Sequence, residues 1–172
     1  MKYLVVSDNH GVESYLDDIK STWMGKVDYF FHCGDSELSP DDEIWSTFQV
    51  VRGNCDYFQE YDDMKLIDTK EDKVLLTHGH LFGVNTSFDR LIYKAEESEA
   101  TIILYGHTHQ LFSTMVDDKL LLNPGSISQP RGKYSYLKTY AIIDHQEDGY
   151  LVNYYDENHV LQEELTHFFS MN

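Results

Sequence analysis

Short apolar runs separated by polar loops recur through the first two thirds of the chain and predict buried strands. We expect such strands at residues 3–7, 27–33, 48–51 and 101–105. Two segments instead carry apolar residues at helical spacing, and we expect amphipathic helices at 13–24 and 87–97, with Ser87 as the N-cap of the second. A short helix is also expected at 41–45. The order strand, loop, helix, strand predicts parallel strands joined by right-handed crossovers.

Alternating segments later in the chain predict antiparallel pairing. Residues 64–68 and 73–77 are expected to form a hairpin added to the sheet, and residues 111–116 and 119–122 a second hairpin across Asp117 and Asp118. In the last third, we expect antiparallel strands at 139–144, 150–155 and 160–166. No internal repeat, low-complexity tract or interdomain linker interrupts the chain, so we expect one domain over residues 1–172.

The net charge of the chain limits the kinds of ligand that it can bind. The net charge is −17, from 13 Lys and Arg against 30 Asp and Glu, and such a surface repels nucleic-acid backbones. It remains compatible with a small phosphate ester held by metal ions, whose local field opposes that of the protein. General nucleic-acid binding is therefore not expected.

The remaining composition is that of a soluble globular protein. Two cysteines indicate a reducing compartment. The apolar run at 3–6 is too short for a signal peptide and no stretch reaches transmembrane length, so we expect a cytoplasmic protein without a membrane partner. The aromatic content of 14% permits a homo-oligomeric interface but does not decide the oligomeric state.

Candidate chemistry lies where the predicted strands end. Five strand-to-loop junctions carry residues of metal-ligand type, namely Asp8 and His10, Asp35, Asn54, His78, and His107 and His109. Taken singly, Asp8 could cap the next helix and Asp35 could be a turn residue. Ligands of layered α/β folds, however, bind outside the carboxyl ends of the strands. If the seven side chains converge, they exceed what one ion needs and fit two ions about 3.5–4 Å apart.

The ordered set of motifs resembles the calcineurin-like metallophosphoesterase superfamily, and in detail its small, capless bacterial and archaeal phosphodiesterase branch. The segments that carry the resemblance are 53–56 (Gly-Asn-Cys-Asp), 77–80 (Thr-His-Gly-His), 106–109 (Gly-His-Thr-His) and 123–126 (Asn-Pro-Gly-Ser) with Pro130 and Arg131. The resemblance implies an α/β (α+β) fold: a four-layer sandwich of two mixed β-sheets flanked by helices, with a two-metal site at the sheet edge.

The resemblance also implies a ligand set and a reaction. Asp8, His10 and His109 would bind one metal ion, Asn54, His78 and His107 the other, and Asp35 would bridge the two. A metal-bridging hydroxide would hydrolyse a small phosphate ester, most readily a phosphodiester. Manganese is the ion we favour, and zinc, iron, nickel and cobalt also suit this mixture of donors.

Three further residues are candidates for catalysis. Cys55 occupies the position at which many members of the superfamily carry a histidine thought to protonate the leaving group, and a cysteine is a poorer acid. His80 could supply that proton or could only support its neighbour His78. Arg131 could bind a substrate phosphate or form a structural salt bridge.

The sequence is also compatible with a second function, that of a protein-binding scaffold. The same branch resembles the scaffold subunit of the eukaryotic retromer complex, in which case the metal site would be vestigial and the protein would bind partners. The two hypotheses differ in the ligand set that they predict, because a vestigial site should have lost some ligands. All seven ligand-type residues are present here.

Overall fold

Two mixed β-sheets packed face to face form the centre of the molecule, and the computed structural model describes them within residues 1–171. The strands in chain order are β1 (Lys2–Val6), β2 (Tyr29–His32), β3 (Phe48–Val50), β4 (Met64–Asp68), β5 (Lys73–Thr77), β6 (Ile102–Leu104), β7 (Phe112–Val116), β8 (Lys119–Asn123), β9 (Thr139–Gln146), β10 (Gly149–Asp156) and β11 (His167–Ser170). The helices are α1 (Ser14–Trp23) and α2 (Asp89–Glu97).

The first sheet has the order β11-β10-β9-β1-β2-β3, in which β1, β2 and β3 run parallel and β9 is antiparallel to β1. The second has the order β4-β5-β6-β8-β7, with β5, β6 and β8 parallel and both edge strands antiparallel. The predicted parallel strands and both predicted hairpins are therefore confirmed. The hairpin at 64–77 belongs to the second sheet, however, and not to the sheet built by the first three strands.

Strand periodicity explains the layers. In β1, Tyr3 and Val5 face the second sheet and join the core between the sheets, whereas Leu4 and Val6 face α1. The residues of the second sheet alternate in the same way. Ile102 and Leu104 of β6 enter the shared core, while Ile103 packs on α2. Strands buried on both faces read as continuous apolar runs in the sequence. The expected four-layer sandwich is confirmed.

Both predicted helices form, with small differences at their ends. Helix α1 buries Leu16 and Ile19. Helix α2 begins at Asp89, two residues after Ser87, whose hydroxyl accepts the Asp89 N–H at 3.1 Å. The short helix expected at 41–45 is a 3-10 turn at Glu43–Ser46. No helix within residues 1–171 is long and apolar enough to cross a membrane.

The strand predicted at 160–166 is wrong. Asp156 Oδ1 accepts the N–H groups of Asn158 and Val160, so these groups are unavailable to a strand ladder. Only a single bridge between Tyr155 and Leu161 and a 3-10 turn at Glu163–Leu165 follow. The last strand, β11, begins at His167.

The register of the parallel strands brings their carboxyl ends into line. Val6 of β1 pairs with His32 of β2, which pairs with Val50 of β3. In the second sheet, Leu76, Leu104 and Leu122 are aligned in the same way. The loops that leave these strands carry the predicted ligands and meet at one edge of the sandwich.

Candidate metal centre

Four of the predicted ligands form a compact group at the ends of β1, β2 and β6. Donor atoms of Asp8, His10, Asp35 and His109 all lie within 4.8 Å of one another, an arrangement that could hold a metal ion. His109 Nε2 is 3.1 Å from Asp8 Oδ1 and 3.3 Å from His10 Nε2. Three of these residues are buried and His10 is half-buried, so water has little access to this side of the centre.

The other predicted ligands adjoin this group on its more open side. His78 Nε2 lies 3.3 Å from Asp35 Oδ2 and 3.2 Å from Asn54 Oδ1. The rings of His78 and His107 are 5.1 Å apart between centroids, and His107 Nε2 contacts the Asn85 amide nitrogen at 3.0 Å. Asp35 therefore lies between the two groups, as predicted, while His107 is the ligand candidate whose nitrogen is engaged elsewhere.

Hydrogen bonds on the far ring nitrogens set the orientation of three imidazoles. His109 Nδ1 contacts the Gln129 carbonyl at 2.7 Å and His78 Nδ1 contacts the Cys33 carbonyl at 2.8 Å. A carbonyl only accepts, so each Nδ1 carries the proton and, in the neutral ring, Nε2 presents a lone pair to the centre. His10 Nδ1 contacts Glu37 Oε1 at 2.6 Å and is oriented in the same way.

One buried carboxylate oxygen in this centre has no hydrogen-bond partner within residues 1–171. Asp8 Oδ1 is buried and makes no hydrogen bond within residues 1–171, although His109 Nε2 is nearby. An unpaired buried carboxylate oxygen facing imidazole lone pairs is unfavourable unless a cation lies among them. The donor set of carboxylate, imidazole and amide oxygens fits divalent transition metals.

The pKa values show how strongly the groups interact. Burial raises the pKa of Asp35, but the contact with His78 and the N–H of Cys55, which donates to Oδ1 at 2.7 Å, outweigh burial and hold that pKa well below its usual range. Burial lowers the pKa of His78, yet the neighbouring charges of Asp35 and Asp8 leave it raised. Asp35 is therefore ionised at neutral pH and attracts any cation at its position.

Two glycines allow the loops to approach closely. A Cβ at Gly53 would lie 2.0 Å from Asp35 Oδ1, and a Cβ at Gly106 would lie 2.1 Å from Ser7 Oγ and 2.8 Å from Asp8 Oδ2. Any other residue at these positions would displace Asp35 or Asp8. These two glycines directly precede Asn54 and His107, which explains why the motifs read Gly-Asn and Gly-His.

Three supporting residues were not assigned a role from the sequence. Asp56 accepts the N–H groups of Asp35, Glu37 and Gly53, and so ties the loop after β2 to the loop after β3. Glu37 orients His10, and Asn85 contacts His107. Asp56 belongs to the motif at residues 53–56. Glu37 and Asn85 lie in loops, and no pattern in the sequence indicates their contacts.

The three candidate catalytic residues lie near different proposed ligands. Cys55 is half-buried, and its Sγ is 3.2 Å from the Asn54 amide nitrogen. His80 lies in a 3-10 turn with its ring 6.2 Å from His107, and its Nδ1 is buried without a hydrogen-bond partner within residues 1–171. Arg131 is exposed, its N–H donates to the His109 carbonyl, and its guanidinium forms no ion pair with the described residues.

The chain is similar to known proteins over most of its length. A model of the calcineurin-like phosphoesterase superfamily domain matches residues 1–148. A probable metallophosphoesterase of Bacillus subtilis strain 168, YsnB, is 38% identical over 157 residues, which cover 91% of this chain and 92% of the relative.

Solved structures extend the likeness to the whole described chain. A crystal structure of a predicted phosphoesterase from Streptococcus pneumoniae TIGR4 superposes with a TM-score of 0.96 at 38% identity, covering 99% of this chain and 97% of the other. Vps29 from Entamoeba histolytica in complex with Zn²⁺ has a TM-score of 0.74 at 21% identity over the full length of both. The second likeness shows a shared fold, as expected from the resemblance to the retromer scaffold subunit.

Proposed function

The chain belongs to the calcineurin-like phosphoesterase superfamily, and on that premise we propose that it hydrolyses phosphodiesters at a centre that binds two divalent metal ions. The ligands we propose for the first ion are Asp8, His10 and His109, and for the second Asn54, His78 and His107, with Asp35 shared. The same residues fit manganese, zinc, iron, nickel and cobalt, of which we favour manganese.

The unpaired buried oxygen of Asp8 is the observation that carries this proposal. It faces the Nε2 atoms of His10 and His109, at 3.9 and 3.1 Å, and these nitrogens are themselves 3.3 Å apart. A hydrogen-bonding role would need donors at this point, and the bonds on the Nδ1 atoms make the Nε2 atoms acceptors in the neutral rings. A bound cation satisfies all three atoms at once.

The charge balance of the centre supports phosphate chemistry. Two divalent ions would bring +4 and the carboxylates of Asp8 and Asp35 remove 2, so the loaded centre carries about +2 within an acidic protein. Divalent ions, when bound, supply Lewis acidity and lower the pKa of coordinated water. The protein's part is to fix the donors, exclude water at the buried Asp8 side, and leave the Asn54 and His107 side open to a phosphoryl group.

Two arginines lie on the loops that carry the proposed ligands, and they differ in their availability to a substrate phosphate. Arg52 is committed to Asp63, with guanidinium contacts of 2.8 and 2.6 Å. Arg131, the candidate for binding a substrate phosphate, is therefore the one arginine on the ligand loops without a carboxylate partner among residues 1–171. A diester carries a single negative charge at neutral pH and a monoester up to two, so the positive charge of the loaded centre attracts both. Our preference for the diester rests on the resemblance of the ordered motifs to the phosphodiesterase branch.

Neither candidate acid is well suited to protonate a leaving group. Burial, aided by the charge of Asp35, raises the pKa of the Cys55 thiol to about 12. Burial and the neighbouring rings of His78 and His107 lower the pKa of His80, so His80 is neutral at neutral pH. We propose that the protein acts on diesters with good leaving groups and that His80 supports the ligands beside it.

A screen of metals against substrates tests this function. Protein stripped with a chelator would be reloaded with each candidate metal and assayed on bis(4-nitrophenyl) phosphate and 4-nitrophenyl phosphate. We expect no turnover without metal, two ions bound per chain, and kcat/KM at least about 10-fold higher for the diester. Turnover of the monoester alone would contradict the diester preference, and no metal-dependent turnover of either would contradict the hydrolase.

A pair of variants tests the number of ions. His107→Asn removes a proposed ligand of the second ion, while His167→Asn changes an exposed histidine of β11 that contacts Phe169 and not the centre. We expect bound metal to fall from two ions to one in the first variant and to stay at two in the second. Unchanged stoichiometry in His107→Asn would remove His107 from the ligand set.

The alternative of a partner-binding scaffold with a vestigial site has less support. A site no longer used should have lost ligands, whereas all seven ligand-type residues are present and four of their donor groups converge. The likeness to Vps29 is one of fold.

A further inference from the structure

A cavity of about 210 Å³ lies next to the metal centre, and none of the residues that line it is a proposed metal ligand. Its lining combines polar residues (Asn85, Thr108 and Gln110), aromatic residues (Phe88, Tyr105 and Phe112) and the aliphatic Val84 and Leu111. A concave site with aromatic walls and a few polar groups is the usual form of a small-molecule pocket.

The cavity opens directly from the ligand loops. Asn85 lines it and also contacts His107 Nε2 at 3.0 Å. Thr108 is the residue between His107 and His109, and its hydroxyl is held by the Asn123 amide at 3.0 Å. A molecule whose phosphoryl group lies at His107 can therefore place a substituent in this cavity without leaving the site.

The aromatic wall has the geometry of a stacking surface. Phe88 and Phe112 are stacked, with ring centroids 5.6 Å apart and planes 17° from parallel, and Tyr105 meets Phe88 edge-on at 5.5 Å. Phe112 remains 40% exposed, so part of its apolar surface is in contact with water. A flat ring placed against Phe112 would remove apolar surface from water and gain favourable aromatic contacts.

The volume of the cavity and the polar side chain of Gln110 restrict the class of ligand that fits. An apolar cavity of about 150 Å³ suffices for benzene, so this cavity accommodates one six-membered ring. The Gln110 side chain packs on Gly132, where a Cβ would come within 2.4 Å of Oε1, and its amide makes no hydrogen bond within residues 1–171. That amide is available to hydrogen-bond a polar substituent of the ring.

We propose that this cavity binds an aromatic or heteroaromatic ring on the organic group of the phosphodiester substrate. The proposal rests on the function proposed above, because the ring is placed by a phosphoryl group held at the metal ligands. It makes Phe112 a specificity-determining residue that contacts substrate but lies outside the ligand set.

Two phosphonates that cannot be hydrolysed test the ring site by binding alone. Phenylphosphonate and methylphosphonate share the same anionic group, and their affinities for the manganese-loaded protein can be compared by calorimetry. We expect phenylphosphonate to bind about 10-fold more tightly than methylphosphonate to the unchanged protein. In Phe112→Ala, which removes an exposed side chain, the ratio should fall below about 3-fold.

The chain offers a matched control, because Phe168 of β11 is also 40% exposed and does not line the cavity. Phe168→Ala should keep the full ratio. Equal affinities in the unchanged protein, an undiminished ratio in Phe112→Ala, or no binding of either phosphonate while diesters are hydrolysed would each overturn the ring site and leave the hydrolase standing. Loss of the hydrolase itself would instead show as absence of metal-dependent turnover.

Discussion

Five of the seven proposed ligands hold backbone angles that most residues avoid. Positive φ values of 44° to 66° occur at Asp8, His10, Asp35, His107 and His109. Aspartate and histidine tolerate this region better than most side chains, yet each such residue costs of order 1 kcal/mol or more and persists only where its surroundings enforce it. Most of the proposed ligands therefore share this backbone conformation, and at Asp35 the hydrogen bonds that Asp56 accepts from the loops after β2 and β3 help to hold it.

The unpaired oxygen of Asp8 gives a prediction at this scale. Asp8→Asn keeps the shape of the side chain but removes a buried charge, so the metal-free variant should unfold at an equal or higher temperature. Its affinity for manganese should fall at least about 10-fold, because a charged ligand is lost. Calorimetric unfolding with and without manganese measures both effects.

Asp41→Asn, at an exposed position, serves as the control and should change neither quantity. A large loss of metal-free stability in Asp8→Asn together with full metal affinity would show that Asp8 is structural.

His32 gives a second prediction through its protonation. Burial lowers the pKa of His32 to about 4. The neutral ring is fully hydrogen-bonded, because its Nδ1 accepts the Gly34 N–H at 3.1 Å and its Nε2 donates to Asn9 Oδ1 at 2.8 Å. The unfolded chain, with a pKa near 6.5, binds more protons than the folded one between those values. Stability should therefore fall as pH drops from about 6.5 to about 4, by up to about 3 kcal/mol from this residue.

Urea unfolding at several pH values measures that slope. His32→Gln removes the titrating group and should flatten the dependence over the same range, whereas the exposed His167→Gln should not. A slope that is unchanged in His32→Gln would assign the acid sensitivity to other groups.

At the scale of elements, a second buried cluster joins the two sheets at the end opposite the metal centre. Asp72, in the turn between β4 and β5, accepts the hydroxyls of Tyr3 and Tyr150 at 2.6 Å each and contacts His145 Nδ1 at 2.6 Å. Its oxygens also accept Thr101 Oγ1 at 3.1 Å. Tyr3, Tyr150 and His145 come from the first sheet and Asp72 from the second, so one carboxylate holds the layers together.

We expect Asp72→Asn to destabilise the protein by about 2–4 kcal/mol, because an amide cannot accept all of these hydrogen bonds and leaves buried donors unpaired. Metal affinity should be unchanged, since Asp72 precedes β5 and the ligand His78 follows it. Chemical denaturation and metal titration of the same variant measure the two quantities.

Asp118→Asn, in the exposed turn of the other hairpin of the second sheet, should cost less than about 0.5 kcal/mol. Loss of metal binding in Asp72→Asn under folding conditions would show that the two ends of the sandwich are coupled.

For the molecule as a whole, the excess of acidic residues would oppose the approach of the anionic substrate that we propose. With a net charge of −17, the protein repels an anionic diester at a distance, whereas the metal-loaded centre would attract it. Salt screens this repulsion, because the screening length falls from about 30 Å at 0.01 M to about 8 Å at 0.15 M. We expect KM of the metal-loaded protein for bis(4-nitrophenyl) phosphate to fall about 2- to 3-fold over that range.

Measuring KM in sodium perchlorate and in sodium chloride separates charge screening from competition of the anion for the metal. The two salts screen charges equally, but their anions differ in how strongly they coordinate metal ions. A KM that rises with both salts would show that attraction by the metal centre governs the approach of the substrate.

The linear sequence determined most of the elements and the positions of the ligand-type residues at strand ends, because both depend on neighbours in the chain. Apolar runs such as 101–105 and periodic segments such as 13–24 depend on neighbours in the chain, and the ligand residues follow strand ends that parallel pairing must align. Where a local polar contact competed with the apolar pattern, as at Asp156, the strand expected from periodicity did not form.

Only the tertiary structure decided which residues meet. Contacts between Glu37 and His10, Asn85 and His107, and Asp72 and the first sheet join residues 22 to 78 positions apart, and no spacing in the sequence encodes them. The cavity beside His107 arises in the same way from two separate stretches of the chain, 84–88 and 105–112. Packing of the two sheets fixes these distances in space, which is why the proposed ligands could be chosen from the sequence whereas the residues that contact them could not.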